Sequence, residues 1–67
     1  MSKYDYDKSR EIAAQDYPFY ALIMAAMRKA DDVNISLLKS CWPEVFQELR
    51  ERYNAPGGYL PGEYHEQ

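Results

Sequence analysis

The fold of this chain is decided by the stretch Tyr17-Pro18-Phe19-Tyr20-Ala21-Leu22-Ile23-Met24-Ala25-Ala26-Met27-Arg28-Lys29-Ala30. Its apolar residues recur at steps of three and four, which is the period of an amphipathic α-helix. We predict a helix over 17–30, with Asp16 as its N-cap and Pro18 in the first turn, where a missing N–H is harmless. Because this helix is apolar over more than half of its circumference, we expect it to be the central element. It is either contacted on two sides or leaves Tyr20 and Met24 available to another chain.

Two further helices are predicted over 33–41 and 43–53. Asp31 or Asp32 can cap the first of them. Pro43 cannot sit inside a helix without losing a hydrogen bond, so the chain should break at Cys41-Trp42 and restart with Pro43 in the first turn. The restarted helix shows a clear apolar stripe, and the breakers that follow Tyr53 end it. The stripe consists of Val45, Phe46, Leu49 and Tyr53, and the breakers are Asn54, Pro56, Gly57 and Gly58.

The two ends of the chain carry weaker patterns. A short helix over about 8–15, capped by Asp7 or Ser9, has few apolar residues and would be stabilised by docking rather than by its own propensity. Residues 59–67 have no period, although Tyr59 and Leu60 could fold back, and we expect disorder at 64–67. The sequence therefore predicts an all-α protein: a compact three- or four-helix mini-bundle in a single domain 1–58, followed by an irregular Gly/Pro-rich tail, 59–67.

Length and charge limit the possible functions. A chain of 67 residues buries only about 60% of its unfolded surface, so its stability should be marginal without a partner, a metal or a disulfide. The single cysteine, Cys41, excludes an intramolecular disulfide. Eight Lys and Arg against eleven Asp and Glu argue against a general binder of phosphate backbones. No apolar run approaches the roughly 18 residues of a membrane span, so we expect a soluble, cytoplasmic protein.

No group of residues identifies a reaction, a cofactor or a metal. One cysteine and one histidine cannot complete a zinc shell. Nucleophilic catalysis by Cys41 would need a nearby base, but His65 lies in the predicted tail, and a small buried thiol beside Trp42 is the favoured interpretation. The adjacent acids Asp31 and Asp32 are what helix capping requires. We therefore expect no enzyme, no catalytic residue, no cofactor, no metal site and no small-molecule substrate.

The helix pair 33–53 leaves open a nucleic-acid-binding alternative, a helix-turn-helix module. Its basic residues would be Arg28, Lys29, Lys39, Arg50 and Arg52. Its second helix begins with Pro43-Glu44, however, whereas a recognition helix presents polar or basic groups at that end. Nucleic acid is therefore the less favoured partner.

Ten aromatic residues, seven of them tyrosine, are many for a chain of this size. Trp42, Phe46, Phe19 and Tyr53 can belong to the core. The tyrosines in poorly apolar segments either cover a small core as lids or provide an interface with large contact area. The hypothesised interface, with another protein or with a second copy in a homodimer, consists of Tyr20, Met24, Met27, Arg28, Lys29, Tyr59 and Leu60.

The central helix, its basic end and the Pro-Gly-Gly stop also resemble short helical proteins encoded in bacteriophage and prophage genomes. The resemblance is carried by residues 19–28 with Asp31, Leu38, 43–45, 48–49 and 52–58. It implies a small accessory protein of the bacterial cytoplasm, and it carries over no activity and no functional residue. The function expected from the sequence is protein–protein interaction, as a binding or regulatory module or a small self-associating component.

Overall fold

Four α-helices follow one another in the computed structural model, which describes residues 1–63. Their bounds are α1 Lys3–Ala13, α2 Phe19–Lys29, α3 Asp32–Cys41 and α4 Pro43–Tyr53, and a short 3-10 turn, Pro56–Gly58, comes after α4. The described residues contain no strand. The predicted all-α class is confirmed.

Helix α1 begins at Lys3, five residues before the predicted start. Ser2 is its N-cap: the Ser2 hydroxyl accepts from the Asp5 N–H at 3.1 Å, and the Asp5 carboxylate accepts from the Ser2 N–H at 3.1 Å. This reciprocal pair satisfies two backbone donors that a helix start leaves free. The predicted caps Asp7 and Ser9 were wrong, since both lie inside the helix.

Helix α2 begins at Phe19, after Pro18 rather than before it. Proline disfavours helical geometry in the residue that precedes it, and Pro18 itself is extended, with φ −60° and ψ 147°. Asp16 was predicted to cap this helix, which was wrong. Asp16 instead adopts a left-handed backbone, φ +58°, a conformation that a short polar side chain tolerates. The connector between α1 and α2 therefore contains one residue in a left-handed conformation.

Helices α3 and α4 follow the sequence pattern closely. The Asp31 carboxylate accepts from the Asn34 N–H at 2.8 Å and caps α3, so Asp31 is the cap of the two acids predicted as candidates. Trp42 is the one residue between the two helices, with φ −132° and ψ 66°. Pro43 imposes this break because a proline disfavours helical geometry in the residue that precedes it. After α4, Gly57 takes φ +65° in the turn, which a side chain would strain.

The packed part of the molecule consists of α2, α3 and α4, each of which lies against the other two, and the turn 56–58 lies against α4. Met27 is the single buried residue within 1–63, with 4% of its surface exposed. Half-buried apolar residues around it come from all three helices: Leu22, Ile23, Met24, Ile35, Leu38, Val45, Phe46 and Leu49. The core is therefore small and open.

Helix α1 stands apart from this three-helix unit. Among the described residues, no Cα atom of α1 comes within 8 Å of a Cα atom of another helix. The molecule is consequently elongated, 47 × 27 × 16 Å, with a radius of gyration of 14.4 Å, against about 11 Å for a typical domain of this length. Of the predicted single domain 1–58, α2 to the turn forms the packed bundle, whereas α1 is attached to it through the connector alone.

Candidate interaction surface

An aromatic cluster lies where α2 begins and α3 meets α4. The ring of Phe19 contacts that of Tyr20 edge to face, with centroids 5.3 Å apart, and that of Trp42 at 6.3 Å. Phe19 is 59% exposed and Tyr20 is 55% exposed, while Trp42 is half-buried. We call Phe19, Tyr20 and Trp42 the aromatic cluster. Its rings are fixed by one another, so they present a large apolar area that loses little conformational freedom on binding.

A stripe runs from the aromatic cluster along α2 through Met24 to Arg28. These residues are spaced by four from Tyr20 onward, so they share one side of the helix. Met24 is half-buried and Arg28 is exposed. The Arg28 guanidinium lies 5.8 Å from the centre of the Tyr53 ring, and none of the carboxylates in residues 1–63 forms an ion pair with it. The stripe is thus apolar at its beginning and positively charged at its end.

The structure distributes the predicted interface residues over different environments. Tyr20, Arg28, Lys29 and Tyr59 are exposed, and Met24 and Leu60 are half-buried. Met27 is the buried centre of the core, so it cannot contribute to a docking surface; the apolar face of α2 holds both core and surface residues, and helical spacing alone does not separate them. Tyr20, Met24 and Arg28 remain together on one side of α2.

Three further predictions about burial were wrong. Phe19 and Tyr53, named as residues that can belong to the core, are 59% and 75% exposed. Cys41, expected to be a buried thiol, is exposed. The physical reason is the same for all three: a unit of three helices with 10 or 11 residues each encloses one layer of side chains, and positions at the helix ends lie outside it.

The basic residues of the nucleic-acid alternative are partly neutralised. Arg52 Nε donates to Glu48 at 2.9 Å, and its Nη1 and Nη2 donate to the two carboxylate oxygens of Glu63 at 2.6 and 2.7 Å. These hydrogen bonds raise the pKa of Arg52 above its ordinary value. Arg52 is therefore committed to two carboxylates and is not free to contact phosphate.

The α3–α4 connection also differs from a helix-turn-helix. That motif joins its helices through a turn of about three or four residues, whereas Trp42 alone separates α3 from α4. The Lys39 ammonium lies 5.1 Å from the centre of the Phe46 ring, so this contact joins α3 to α4. The helix that would enter a groove begins with Pro43 and Glu44. The geometry gives no support to a recognition helix.

The tail folds back onto α4, as the position of Leu60 suggested. Arg52 Nη1 donates to the Gly58 carbonyl at 2.8 Å, and the Leu60 N–H donates to the Glu63 carboxylate at 3.0 Å. The hydrogen bonds from Arg52 and from the Leu60 N–H lower the pKa of Glu63 to about 2. Nothing in the sequence pattern marked Glu63, because it lies beyond three glycines and two prolines. The expected disorder of Tyr64 to Gln67, with His65, lies outside the described residues.

Neither a metal centre nor a membrane span is found in the part of the chain that the structure describes. No three His, Cys, Asp or Glu residues within 1–63 are grouped so that they could hold a metal ion. None of the helices in this range has the length and apolar character needed to cross a membrane.

Comparisons of this chain with protein-family models, with curated proteins and with solved structures found no match. The resemblance to phage-encoded proteins accordingly stays a prediction. Function is therefore inferred from the geometry of the described residues.

Proposed function

We propose that this chain is a small accessory protein that acts by binding another protein. The observation that carries the proposal is the aromatic cluster: the rings of Phe19 and Tyr20 are more than half exposed, and the Phe19 ring lies in edge-to-face contact with both Tyr20 and Trp42. Tryptophan and tyrosine are enriched among the residues that dominate binding energy. If the core of the three-helix unit had space for these rings, they would be buried in it, but they remain exposed.

The stripe Tyr20–Met24–Arg28 suggests the chemistry of the partner surface. Apolar side chains of the partner would lie over Tyr20 and Met24, and a carboxylate would lie near Arg28, which has no ion pair within residues 1–63. Met24 is unbranched and adapts to an uneven surface. The proposed partner is therefore a protein with an apolar patch that has an acidic residue at one edge.

Affinity capture from bacterial cells with matched baits tests this proposal. The baits are the unaltered chain, Tyr20→Ala, Met24→Ala and, as a control, Val33→Ala, because Val33 is 70% exposed and lies on another helix. Removing a central aromatic or methionine side chain should cost more than about 1 kcal/mol of binding free energy. We expect a protein that is retained by the unaltered and control baits and is absent from the other two.

Folding of the baits is checked by circular dichroism, since Met24 is half-buried and Tyr20 is not. Equal recovery of every captured protein on folded Tyr20→Ala bait would remove the aromatic cluster from consideration. The resemblance to phage proteins adds the role of a phage-type accessory protein to this proposal, and a bacterial host is the source of cells that it suggests.

A further inference from the structure

Helix α1 is an amphipathic helix that nothing covers within residues 1–63. Its 11 residues fall below the roughly 12–15 at which an isolated helix becomes stable in water. The Ser2 cap and the ion pairs Lys3–Asp7 and Lys8–Glu11 support it, but exposed pairs of this kind contribute only about 0.3–0.5 kcal/mol each. Packing on its apolar side is needed to hold the helix.

The apolar side of α1 is formed by Tyr6, Ile12 and Ala13. At 100° per residue these positions fall within one third of the helix circumference. Tyr6 is 62% exposed and Ile12 is 45% exposed. The helix carries three cationic residues, Lys3, Lys8 and Arg10, and three carboxylates, Asp5, Asp7 and Glu11, so it has no net charge that would oppose docking.

The three-helix unit carries a matching uncovered surface between α2 and α3. This α2–α3 groove is lined by Ala26, Ala30, Leu37, Leu38 and Cys41, with Lys29 and Asn34 at its edges. Leu37 is 59% exposed, and Cys41 is exposed as well. Ala26 on α2 and its C-cap, Ala30, are both small, so they leave space for another helix to approach closely. With 11 residues in α1 and 10 in α3, docked helix and groove would both be about 15 Å long.

The exposed area is large enough for a dimer. The chain exposes 6056 Å², whereas a compact monomer of 7.9 kDa exposes about 4,400 Å². The excess is roughly 1,600 Å², and a fully extended chain at 64–67 would account for at most about 800 Å² of it. What remains equals or exceeds the roughly 800 Å² that each partner of a stable interface buries.

Helix α1 makes no contact with the helices that form the groove of its own chain, and the connector between them has hydrogen bonds of its own. The Gln15 N–H donates to the Ile12 carbonyl at 3.1 Å, and the Tyr17 hydroxyl donates to the Gln15 side chain at 3.1 Å. Asp16 then adopts a left-handed backbone conformation, φ +58°. A second copy would supply the missing packing on both sides, because each copy has one uncovered helix and one uncovered groove within residues 1–63.

We propose that two copies of this chain form a symmetric dimer in which α1 of each copy docks into the α2–α3 groove of the other. Exchange of an identical element is a low-cost route to a closed two-fold assembly. The aromatic cluster lies outside both exchanged surfaces, so the dimer would present it twice. Self-association of this kind goes beyond the proposed function and depends on different residues.

Sedimentation velocity over a concentration series, under reducing conditions, gives the first measurement. We expect a species of twice 7.9 kDa that dissociates on dilution. Cys41, the single cysteine, reports on the groove, and its reaction with a thiol reagent should slow as the dimer forms. A chain that remains monomeric, or a dimer in which Cys41 reacts as fast as in the dilute chain, would overturn the proposal. A monomer with a protected Cys41 would overturn it too, because α1 would then cover its own groove.

Matched variants test the two surfaces. Ile12→Ser or Tyr6→Ser in α1 and Leu37→Ser in the groove should each weaken the dimer roughly tenfold or more. Tyr53→Ser is the control, since Tyr53 is 75% exposed and lies outside both surfaces. Circular dichroism of the dilute variants verifies that each variant is folded. Substitutions at exposed positions should not affect folding. A dimer that is insensitive to the α1 and groove variants would contradict the exchange.

Mixing two defective variants distinguishes exchange from any other dimer. In a mixture of Ile12→Ser and Leu37→Ser chains, the mixed dimer has one unaltered contact between α1 and the groove and one contact altered on both sides. In the proposed docking Ile12 packs in the groove that Leu37 lines, so the mixed dimer loses this packing in one contact, whereas each variant alone loses it in both, and the mixed dimer should be the tighter one. Absence of this rescue would overturn the exchange, whereas recovery of the captured protein on the Tyr20→Ala bait tests the proposed function independently.

Discussion

Arg52 and Glu63 are eleven residues apart in the sequence and are joined by two parallel hydrogen bonds of 2.6 and 2.7 Å. This bidentate geometry is the strongest form of the arginine–carboxylate pair. Arg52 also holds Glu48 and the Gly58 carbonyl, so one guanidinium ties α4 to the turn and to the tail. The first part of the tail is thus ordered by a single side chain.

The attachment of the tail should depend on pH. The pKa of Glu63 is lowered to about 2 by the hydrogen bonds from Arg52 and the Leu60 N–H, from an ordinary value of 4.5. Because the folded-state pKa of Glu63 is lowered, the stabilisation that the Arg52–Glu63 pair gives to the attached tail is fully present above pH 4.5. It is lost as the pH falls towards 2. A carbon-detected NMR titration of the Glu63 carboxyl should give a midpoint near 2. In the Arg52→Gln variant the midpoint should return towards the ordinary value, and equal midpoints in both proteins would contradict the pairing.

Met27 should be the residue whose truncation costs most. As the single buried residue of 1–63, it leaves a cavity when replaced by alanine, which typically costs about 2–5 kcal/mol. We expect Met27→Ala to lose most of its cooperative thermal unfolding. Val33→Ala, at a 70% exposed position, should change the free energy of unfolding by less than about 0.5 kcal/mol. Circular dichroism during thermal and urea unfolding measures the stability of both variants. Similar midpoints for Met27→Ala and Val33→Ala would show that Met27 is not the centre of the core.

The two helix caps should differ in their effect. Asp31 caps α3 inside the packed unit, so Asp31→Ala should lower the free energy of unfolding by about 1 kcal/mol. Ser2 caps α1, which contacts no other helix of the described chain. Ser2→Ala should therefore reduce helicity and amide protection in α1 of the dilute chain without shifting the unfolding midpoint. Hydrogen exchange resolves the two regions, and a global shift caused by Ser2→Ala in the monomer would place α1 within the cooperative unit.

Binding to nucleic acid should be weak and should depend little on salt. On duplex DNA, the slope of log affinity against log salt steepens by about 0.9 for each phosphate that a protein neutralises. Arg52 is already occupied by Glu48 and Glu63, so it should not add to this slope. Fluorescence anisotropy with a labelled duplex gives the measurement. The nucleic-acid alternative would be favoured if log affinity fell steeply with log salt and if this slope became shallower when the charge of Arg50 was removed, with Arg52 unaltered.

Most helix boundaries were predictable from local chemistry. Proline at position 43 fixes both the end of α3 and the start of α4, and an acidic cap was expected at Asp31 or Asp32, of which the structure shows Asp31. The start of α1 was missed although its signal was present, since Ser2 and Asp5 have the spacing of a capping box. Asp16 was misassigned because the influence of Pro18 on the preceding residue outweighs the capping preference of an acid.

The candidate surfaces were only partly predictable. Tyr20 is exposed and Met24 is half-buried, while Met27, seven residues after Tyr20 and on the same side of α2, is buried. The exposure of a residue on α2 depends on where α3 and α4 lie against that helix. The spacing of apolar residues along α2 does not contain this information. The Arg52–Glu63 pair was missed for a similar reason, since it joins groups across a segment of glycine and proline without any period.

The sequence by itself determined that this protein is all-α and where α3 and α4 begin and end, because apolar period, caps and prolines act over a few neighbouring residues. Tertiary structure alone decided that Met27 is enclosed, that the rings of Phe19 and Tyr20 are left outside, and that α1 stands apart. Burial depends on the space between helices, and three short helices enclose too little of it for all the apolar side chains that the chain supplies.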